Sequence, residues 1–354
     1  MDDYPVHHLH FRNGFLDAKD NTFHERVVGK HHITRFINRD YSPSTAKRRN
    51  GIRRILKKVF PLKIMNYLLH QFNKSIRGQA NKLQETIFIL GTGSTGKSTL
   101  MEILEMALGQ KVYFMKLPSD FFEKKNSKKD KHVSTLIRVR PLLLWINEMS
   151  TNAIDGEMFK NCVDGKTEVT KLYEDEFTDV EIRGMLLLTA NVMPNLADVG
   201  TGTTRRVTAY QCERLFVDKE NPEKPVDNET VFLKDRDLKE KLTAADLNAV
   251  IDLLVNATKH RKLPEQFKNE KEVIVNANDS PGAFIDSNLV RTKNLDDRIA
   301  RDEMTNEYNA HTGKHLSGLQ VISDLRYRLD YKGTWRHKGV KGCFVGVRWK
   351  TDED

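Results

Sequence analysis

Cysteine is scarce in this chain, and the three residues present lie far apart. Cys162, Cys212 and Cys343 form no C-x-x-C pair within the 354 residues. This spacing favours neither a disulfide framework nor a zinc site built on thiolates. Thiols without such a framework fit a reducing compartment, so we expect an intracellular, cytoplasmic protein.

Local patterns predict four smaller features. They are a tight turn at Asn13-Gly14 between short strands, a strand over Val112–Met115, an exposed polar loop over 123–132, and two helices followed by two short strands from Arg301 onward.

Long apolar runs are also absent. No stretch approaches the length that a membrane-spanning helix needs, and the opening residues MDDYPVHHLHF lack a basic region followed by an apolar core. We therefore expect neither a membrane partner nor a secretory signal. Hydrophobic residues still make up 38% of the chain, which is enough to build packed cores.

Histidines cluster near the N-terminus without the spacing that metal ligation requires. No matching Cys or His pair follows them, so exposed or hydrogen-bonded histidines are expected rather than a metal site. The residues in question are His7, His8, His10, His31 and His32.

The chain is basic, with 58 Lys and Arg residues against 49 Asp and Glu residues and a net charge of +9. A basic balance suits a polyanionic partner. The segment from Thr45 to Leu83 has helical spacing, is interrupted at Pro61 and is rich in Lys and Arg. A solvated helical face and a nucleic-acid surface both fit this pattern.

The strongest motif lies between Glu85 and Gly109, where an apolar run leads through G-x-x-x-x-G-K-S into a helical pattern. This is a phosphate-binding loop in its required setting, between a strand and a helix. Gly91 and Gly96 let the backbone approach a polyphosphate. Lys97 can reach the β- and γ-phosphates of ATP, and the Ser98 hydroxyl can ligate Mg²⁺. The predicted nucleotide-binding residues of the loop are Gly91, Thr92, Gly93, Ser94, Thr95, Gly96, Lys97, Ser98 and Thr99.

Two further apolar runs end in polar residues of the kind that ATP hydrolysis uses. Leu142–Ile146 predicts a strand buried on both faces and leads into Asn147 and Glu148. A carboxylate at such a strand end can orient an attacking water, so Glu148 is the predicted base. Asn147 stands where an Asp is usual; its amide can contact a metal-bound water but brings no charge. The second run ends at Asn191, whose amide can hold the γ-phosphate and the water together.

Taken in order, the segments GTGSTGKST, LLLWINE, LLLTANVMPN and TTRRV resemble those of the superfamily 3 helicases, AAA+-type motors of viruses, phages and plasmids. The helicase part of poxvirus, giant-virus and satellite-phage primase-helicases is the nearest likeness. His10–Gly14, Lys160–Lys166 and Asp302–Lys350 resemble further regions of that group. Asn147 and the order Asp164-Gly165 depart from its usual pattern.

The resemblance implies a homo-hexameric ring around single-stranded and forked DNA, with ATP bound between subunits. Arg205 or Arg206 would be the arginine finger, delivered to the neighbouring subunit's nucleotide. Lys166 and Lys171, on a predicted hairpin with a turn near Glu174, would contact DNA in the channel. The resemblance leaves open a stand-alone motor and a fragment of a longer chain that carries a primase domain. A viral replication site inside a host cell fits the expected location.

The predicted fold is α/β, with an AAA+-like P-loop core built on a parallel sheet. Its segments are a mostly helical, collar-like N-terminal domain (1–84), the motor core (85–217), a helical subdomain with a connector (218–300) and a winged-helix-like DNA-binding domain (301–354). The last segment interleaves basic and aromatic residues, as nucleic-acid contact requires.

The leading hypothesis is an ATP-dependent replicative DNA helicase. An ATP-switched DNA-binding or loading protein needs the same ATP site, so the sequence separates these two poorly. A P-loop kinase for a small molecule would need a substrate lid rich in arginine and gives no reason for a basic C-terminal domain.

Overall fold

The chain forms two compact units, Met1–Glu272 and Val273–Asp354. Among the described helices, none is both long and apolar enough to cross a membrane. The computed structural model describes residues 4–27, 29, 33, 35–80, 84–124, 129–149, 155–170, 177–191, 193, 206–220, 225–257, 262–268, 280–313 and 315–351.

The first unit contains both strands and helices. Its strands are β1 (His8–Phe11), β2 (Gly14–Asp17), β3 (Thr22–Glu25), β4 (Thr86–Leu90), β5 (Phe114–Leu117), β6 (Leu143–Asn147), β7 (Lys166–Thr170), β8 (Phe177–Glu181), β9 (Met185–Ala190), β10 (Val207–Gln211), β11 (Leu215–Val217) and β12 (Val231–Leu233). Its helices are α1 (Ala46–Val59), α2 (Leu62–Ile76), α3 (Lys97–Leu108), α4 (Lys129–Val139), α5 (Gly156–Asp164) and α6 (Ala244–Val255).

A five-stranded parallel sheet, in the order β10-β4-β9-β6-β5, forms the centre of the first unit. Strands β4 and β9 are buried along their whole length, as their continuous apolar runs predicted. β5 begins at Phe114, two residues later than the predicted start at Val112, because its pairing with β6 starts with Phe114 opposite Leu143. All five carboxyl ends lie at one edge of the sheet, called the carboxyl edge below.

The N-terminal segment contains an antiparallel sheet, β1-β2-β3, ahead of the two predicted helices. A mostly helical segment was therefore an incomplete prediction. The β1–β2 turn is Arg12-Asn13, one residue earlier than predicted, since Phe11 pairs with Gly14. A Cβ at Gly14 would lie 2.1 Å from the His24 carbonyl oxygen of β3, so this strand position needs glycine.

Helix α6 packs against α1, α2 and α3, and one hydrophobic core runs from Leu9 to Phe267. The predicted segments 1–84 and 85–217 therefore belong to the same unit, together with the first part of 218–300. The predicted polar loop over 123–132 is also shorter than expected, because α4 already begins at Lys129.

The second unit begins before the predicted boundary at residue 301. Its helices are α7 (Ser280–Asn288), α8 (Arg301–Thr312) and α9 (Gly318–Leu325), and its strands are β13 (Leu289–Arg291), β14 (Arg298–Ala300), β15 (Asp330–His337), β16 (Val340–Val345) and β17 (Val347–Trp349). The predicted order of two helices followed by strands is present from Arg301 onward. Because β13 pairs with β17 and β14 pairs with β16, the preceding segment belongs to this unit as well.

Candidate nucleotide-binding site

The predicted phosphate loop leaves the carboxyl end of β4 and turns through three residues with positive φ. These are Gly91 at 150°, Ser94 at 62° and Gly96 at 82°. A Cβ on Gly91 would lie 3.0 Å from the Cβ of Cys212, and one on Gly96 would lie 3.0 Å from a methyl group of Val59. Both glycines are therefore required by backbone conformation and by close packing.

The helix that follows the loop presents an open N-terminus. α3 begins at Lys97 and its N-cap, Gly96, supplies no side-chain hydrogen bond. The N–H groups of a first helical turn without a side-chain cap attract anions, and the helix dipole adds to that attraction. Thr92, Gly93 and Ser98 are exposed at this end of the sheet. The predicted loop is thus an accessible anion site.

Lys97 is buried, and its ammonium group is folded back onto the loop. Nζ donates to the Gly91 carbonyl, to the Thr92 carbonyl at 3.0 Å and to Thr95 Oγ1 at 3.0 Å. Burial lowers the pKa of Lys97, while Cys212 and then Glu148 act in the opposite direction. Lys97 therefore lies close enough to Glu148 for the carboxylate to act on its charge.

Glu148 and Asn191 follow neighbouring strands of the sheet at the carboxyl edge. β9 lies between β4 and β6, with Leu90 opposite Ala190 and Asn147 opposite Thr189. This register brings the residues that follow the three strands together at one edge. Glu148 and Asn191 are both exposed there.

Glu148 adopts a backbone conformation that is uncommon for a residue with a side chain. Its φ is +51°, and its N–H donates to the Thr189 carbonyl at 2.7 Å. Such left-handed positions concentrate at functional sites, where surrounding hydrogen bonds hold them. Here the bond to β9 fixes the turn that directs the chain away from the sheet after Asn147.

Thr189, near the end of β9, forms hydrogen bonds to the end of β6. This connection was not predicted from the sequence. Its hydroxyl accepts from Trp145 Nε1 at 2.9 Å and donates to Asn147 Oδ1 at 2.9 Å. The Asn147 amide is therefore held in one orientation, with its oxygen already occupied. A Thr in an apolar run gives no signal of this role, because the contact depends on the pairing of β6 with β9.

The structure describes one of the two arginines predicted as the arginine finger. Arg205 lies outside the described residues. Arg206 is buried and forms a bidentate ion pair with Asp164, with Nε at 2.6 Å and Nη2 at 2.8 Å from the carboxylate oxygens. Its carbonyl accepts from Thr86 N, the first residue of β4. Arg206 thus lies at the amino edge of the sheet, about 13 Å from the carboxyl edge by strand rise.

The predicted DNA-contacting hairpin is present as a backbone feature. β7 pairs antiparallel with β8, with Lys166 opposite Glu181. Lys171 and the predicted turn at Glu174 lie outside the described residues. The structure therefore bears out the hairpin and leaves the DNA contact of Lys166 and Lys171 a prediction.

A cavity of about 230 Å³ lies beside the loop, on the side of α1. Val59, Gly96, Leu100 and Phe216 contribute to its mostly apolar wall. Phe216 is tied to the loop because its N–H donates to the Ser94 carbonyl at 2.7 Å. Sequence reasoning missed this cavity, since α1 and β11 lie far from the P-loop along the chain.

No family model matches this chain, and no curated protein matches it. Solved structures of the C-terminal region of NrS-1 resemble it in fold. One A-form apo structure is 12% identical, with 87% of this chain and 77% of that chain covered and a TM-score of 0.47. A second A-form apo structure is 11% identical, with 93% and 81% covered and a TM-score of 0.46.

Proposed function

We propose that this chain is an ATP-dependent replicative DNA helicase of the superfamily 3 type, with an AAA+-like motor core. The observation that carries the proposal is the carboxyl edge of the parallel sheet. An open phosphate loop, a buried lysine and two exposed polar residues, Glu148 and Asn191, meet there on adjacent strands. Ligands of open α/β sheets bind at this edge.

The residues present fit ATP with Mg²⁺. In the proposed complex, phosphate oxygens replace the loop carbonyls as acceptors for the Lys97 ammonium. The Ser98 hydroxyl, in the first turn of α3, is placed to hold Mg²⁺, which would neutralise charge on the β- and γ-phosphates. The apolar cavity beside Gly96 suits the base of the nucleotide.

Hydrolysis needs a water that is both oriented and deprotonated. In this proposal Glu148 orients the water and accepts its proton, and Asn191 donates to the γ-phosphate and holds the water in line. The fixed Asn147 amide keeps its oxygen on Thr189 and turns its nitrogen side toward the site. Lys97 stabilises the charge that develops on the phosphate oxygens.

Ring assembly is expected from the resemblance, and the position of Arg206 guides the choice of arginine finger. Arg206 lies at the edge opposite the loop and is engaged by Asp164. We therefore assign the finger to Arg205, acting on the nucleotide of a neighbouring subunit. A shared site of this kind makes hydrolysis depend on assembly, and six subunits are expected from the resemblance.

The DNA-binding part of the proposal rests on two regions. Lys166 and Lys171 would meet phosphates in the ring channel. In the second unit, which we interpret as winged-helix-like, Tyr327 is 81% exposed. Arg298 lies 4.8 Å from the ring centre of Trp335, and Arg326 lies 4.8 Å from that of Tyr327. Such basic and aromatic pairs suit stacking on bases.

The test combines ATP hydrolysis, fork unwinding and subunit mixing. Single-stranded DNA should stimulate hydrolysis, and a forked duplex should be unwound. Arg205→Ala and Lys97→Ala chains should each be inactive, yet regain partial ATPase activity when mixed, because some interfaces then pair an intact loop with an intact finger. Stimulation of ATP hydrolysis by DNA without unwinding would favour the DNA-loading protein. Hydrolysis by a monomer at a rate that DNA does not change would favour the kinase.

A further inference from the structure

Three side chains that are distant from the nucleotide site converge at the start of the N-terminal sheet. One ligand atom from each of His7, His8 and Asp17 lies within 4.8 Å of the other two. Nε2 of each histidine is 3.6 Å from the same carboxylate oxygen, Asp17 Oδ2. All three side chains are largely shielded from solvent, with 14%, 15% and 17% of their surface exposed.

The fold holds these groups in place before any ligand arrives. β1 and β2 place His8 directly opposite Asp17, and the Ala18 N–H donates to the His7 carbonyl at 2.9 Å. Asp17 Oδ1 accepts from the Lys19 N–H at 2.8 Å, so the other carboxylate oxygen is left facing the histidines. The His8 ring stacks on Phe15 at 4.4 Å.

The contacts within the cluster are longer than ordinary hydrogen bonds. At 3.6 Å the imidazole nitrogens and Asp17 Oδ2 exceed the usual hydrogen-bond distance. Nδ1 of His8 is buried and has no hydrogen-bond partner. The Nε2 atoms of both histidines therefore lie beside Asp17 Oδ2 without a short hydrogen bond to it.

Tetrahedral zinc accounts for this spacing. Bonds of about 2.0–2.1 Å at tetrahedral angles separate neighbouring ligand atoms by about 3.3–3.4 Å. The two histidine–carboxylate separations of 3.6 Å need to shorten by only a few tenths of an ångström, and the two histidine ligand atoms lie within 4.8 Å of each other. Two imidazoles and one carboxylate are a recognised donor set for divalent transition metals, with water in a remaining position.

We propose that His7, His8 and Asp17 bind one Zn²⁺ ion, which stabilises the N-terminal sheet where it contacts the nucleotide-binding core. The His10 N–H donates to the Tyr113 hydroxyl at 2.8 Å, and that hydroxyl donates to the His8 carbonyl at 3.1 Å. Tyr113 directly precedes β5. An ion held at His8 would therefore stabilise the strand that contacts the core, and ligand binding to the folded state raises stability.

The experiment titrates tag-free protein with Zn²⁺ alone, using competition with a chromogenic chelator, and repeats the titration with Co²⁺. We expect one equivalent to bind, with the visible absorption of tetrahedral Co²⁺ and a higher melting temperature. Asp17→Asn and His7→Gln should each weaken binding at least about tenfold, since each removes one of three ligands. His7→Gln provides a variant at a position outside the core if Asp17→Asn does not fold.

His24→Gln is the matched control, because His24 lies on β3 of the same sheet but outside the cluster. It should bind Zn²⁺ like the parent chain. The proposal is overturned if the parent chain binds no Zn²⁺. Equal affinity in His7→Gln and the parent would also overturn it, because the ion would then be held elsewhere.

Discussion

The two edges of the parallel sheet carry charged residues in opposite states. At the carboxyl edge, Lys97 is held by the carbonyl and hydroxyl oxygens of its own loop, and Glu148 is exposed. At the amino edge, Arg206 and Asp164 satisfy each other through two short hydrogen bonds. From the sequence, Lys97 and Arg206 were both candidates to contact the phosphates of ATP.

The difference lies in what each cation would exchange for a ligand. Lys97 interacts with neutral oxygens, so a polyphosphate offers it a stronger, charge-assisted set of acceptors. Arg206 already has a carboxylate in bidentate geometry, and leaving it would strand a buried charge. The carboxyl edge is therefore suited to bind a polyphosphate. The amino edge is suited to hold the sheet and α5 together.

The largest expected effect comes from Lys97→Ala. Removing the ammonium that meets the β- and γ-phosphates should lower ATP hydrolysis by about 10²–10³-fold or more. Phosphate release at saturating ATP provides the measurement. The thermal unfolding temperature of Lys97→Ala should change less than that of Arg206→Ala. A Lys97→Ala protein that kept its ATPase activity but unfolded at a lower temperature would contradict the roles given to the two cations.

Arg206→Ala should act on stability instead. The charge left unpaired is that of Asp164, which is 20% exposed, so the loss should be about 3 kcal/mol, the low end of the range for a buried ion pair. Denaturant unfolding measures the loss, and a double-mutant cycle with Asp164→Ala isolates the pair. A stable Arg206→Ala protein that had lost hydrolysis only in the assembled state would return the finger role to Arg206.

A smaller effect is expected for Thr189→Val, which keeps the shape of the side chain but removes its hydroxyl. Trp145 Nε1 loses its acceptor and Asn147 Oδ1 loses its donor. The free energy of unfolding should fall by about 1–3 kcal/mol. ATPase should decline modestly as the Asn147 amide loses its orientation. Thr208→Val, on β10 of the same sheet, removes a buried hydroxyl that donates to Glu85 instead, so it should lower stability without lowering the ATPase activity.

The double variant Lys166→Ala, Lys171→Ala tests the predicted hairpin rather than either edge of the sheet. Basal ATPase should be largely retained, whereas unwinding should be lost. Each phosphate contact with single-stranded DNA contributes about 0.7 to the slope of log affinity against log salt concentration. The double variant should therefore lower that slope by about 1.4, and an unchanged slope with normal unwinding would remove these lysines from the DNA path.

Features carried by short stretches were predictable from sequence. The glycine-rich turn between β4 and α3, the β9 strand over Met185–Ala190 and the polar residues at the end of β6 were all predicted, because a motif or an apolar run encodes each within a few residues. The position of Arg206 was not, since its partner Asp164 is 42 residues away and only the fold brings them together.

The neighbours of the N-terminal histidines were also not predictable from sequence, because only the fold brings them together. The sequence showed no paired ligands near His7 and His8, and we expected no metal there. Asp17 becomes a third donor only because the turn at Arg12-Asn13 sets the register of β1 against β2. A shift of one residue would place Asp17 on the other face of the sheet.

The central claim is that Glu148 acts as the base of an ATP site at the carboxyl edge. Glu148→Gln keeps the size of the side chain and its hydrogen bonding but removes the proton acceptor. Steady-state ATP hydrolysis should fall by about 10²-fold or more while nucleotide binding is retained. Hydrolysis at the rate of the parent chain, with binding intact, would contradict the account.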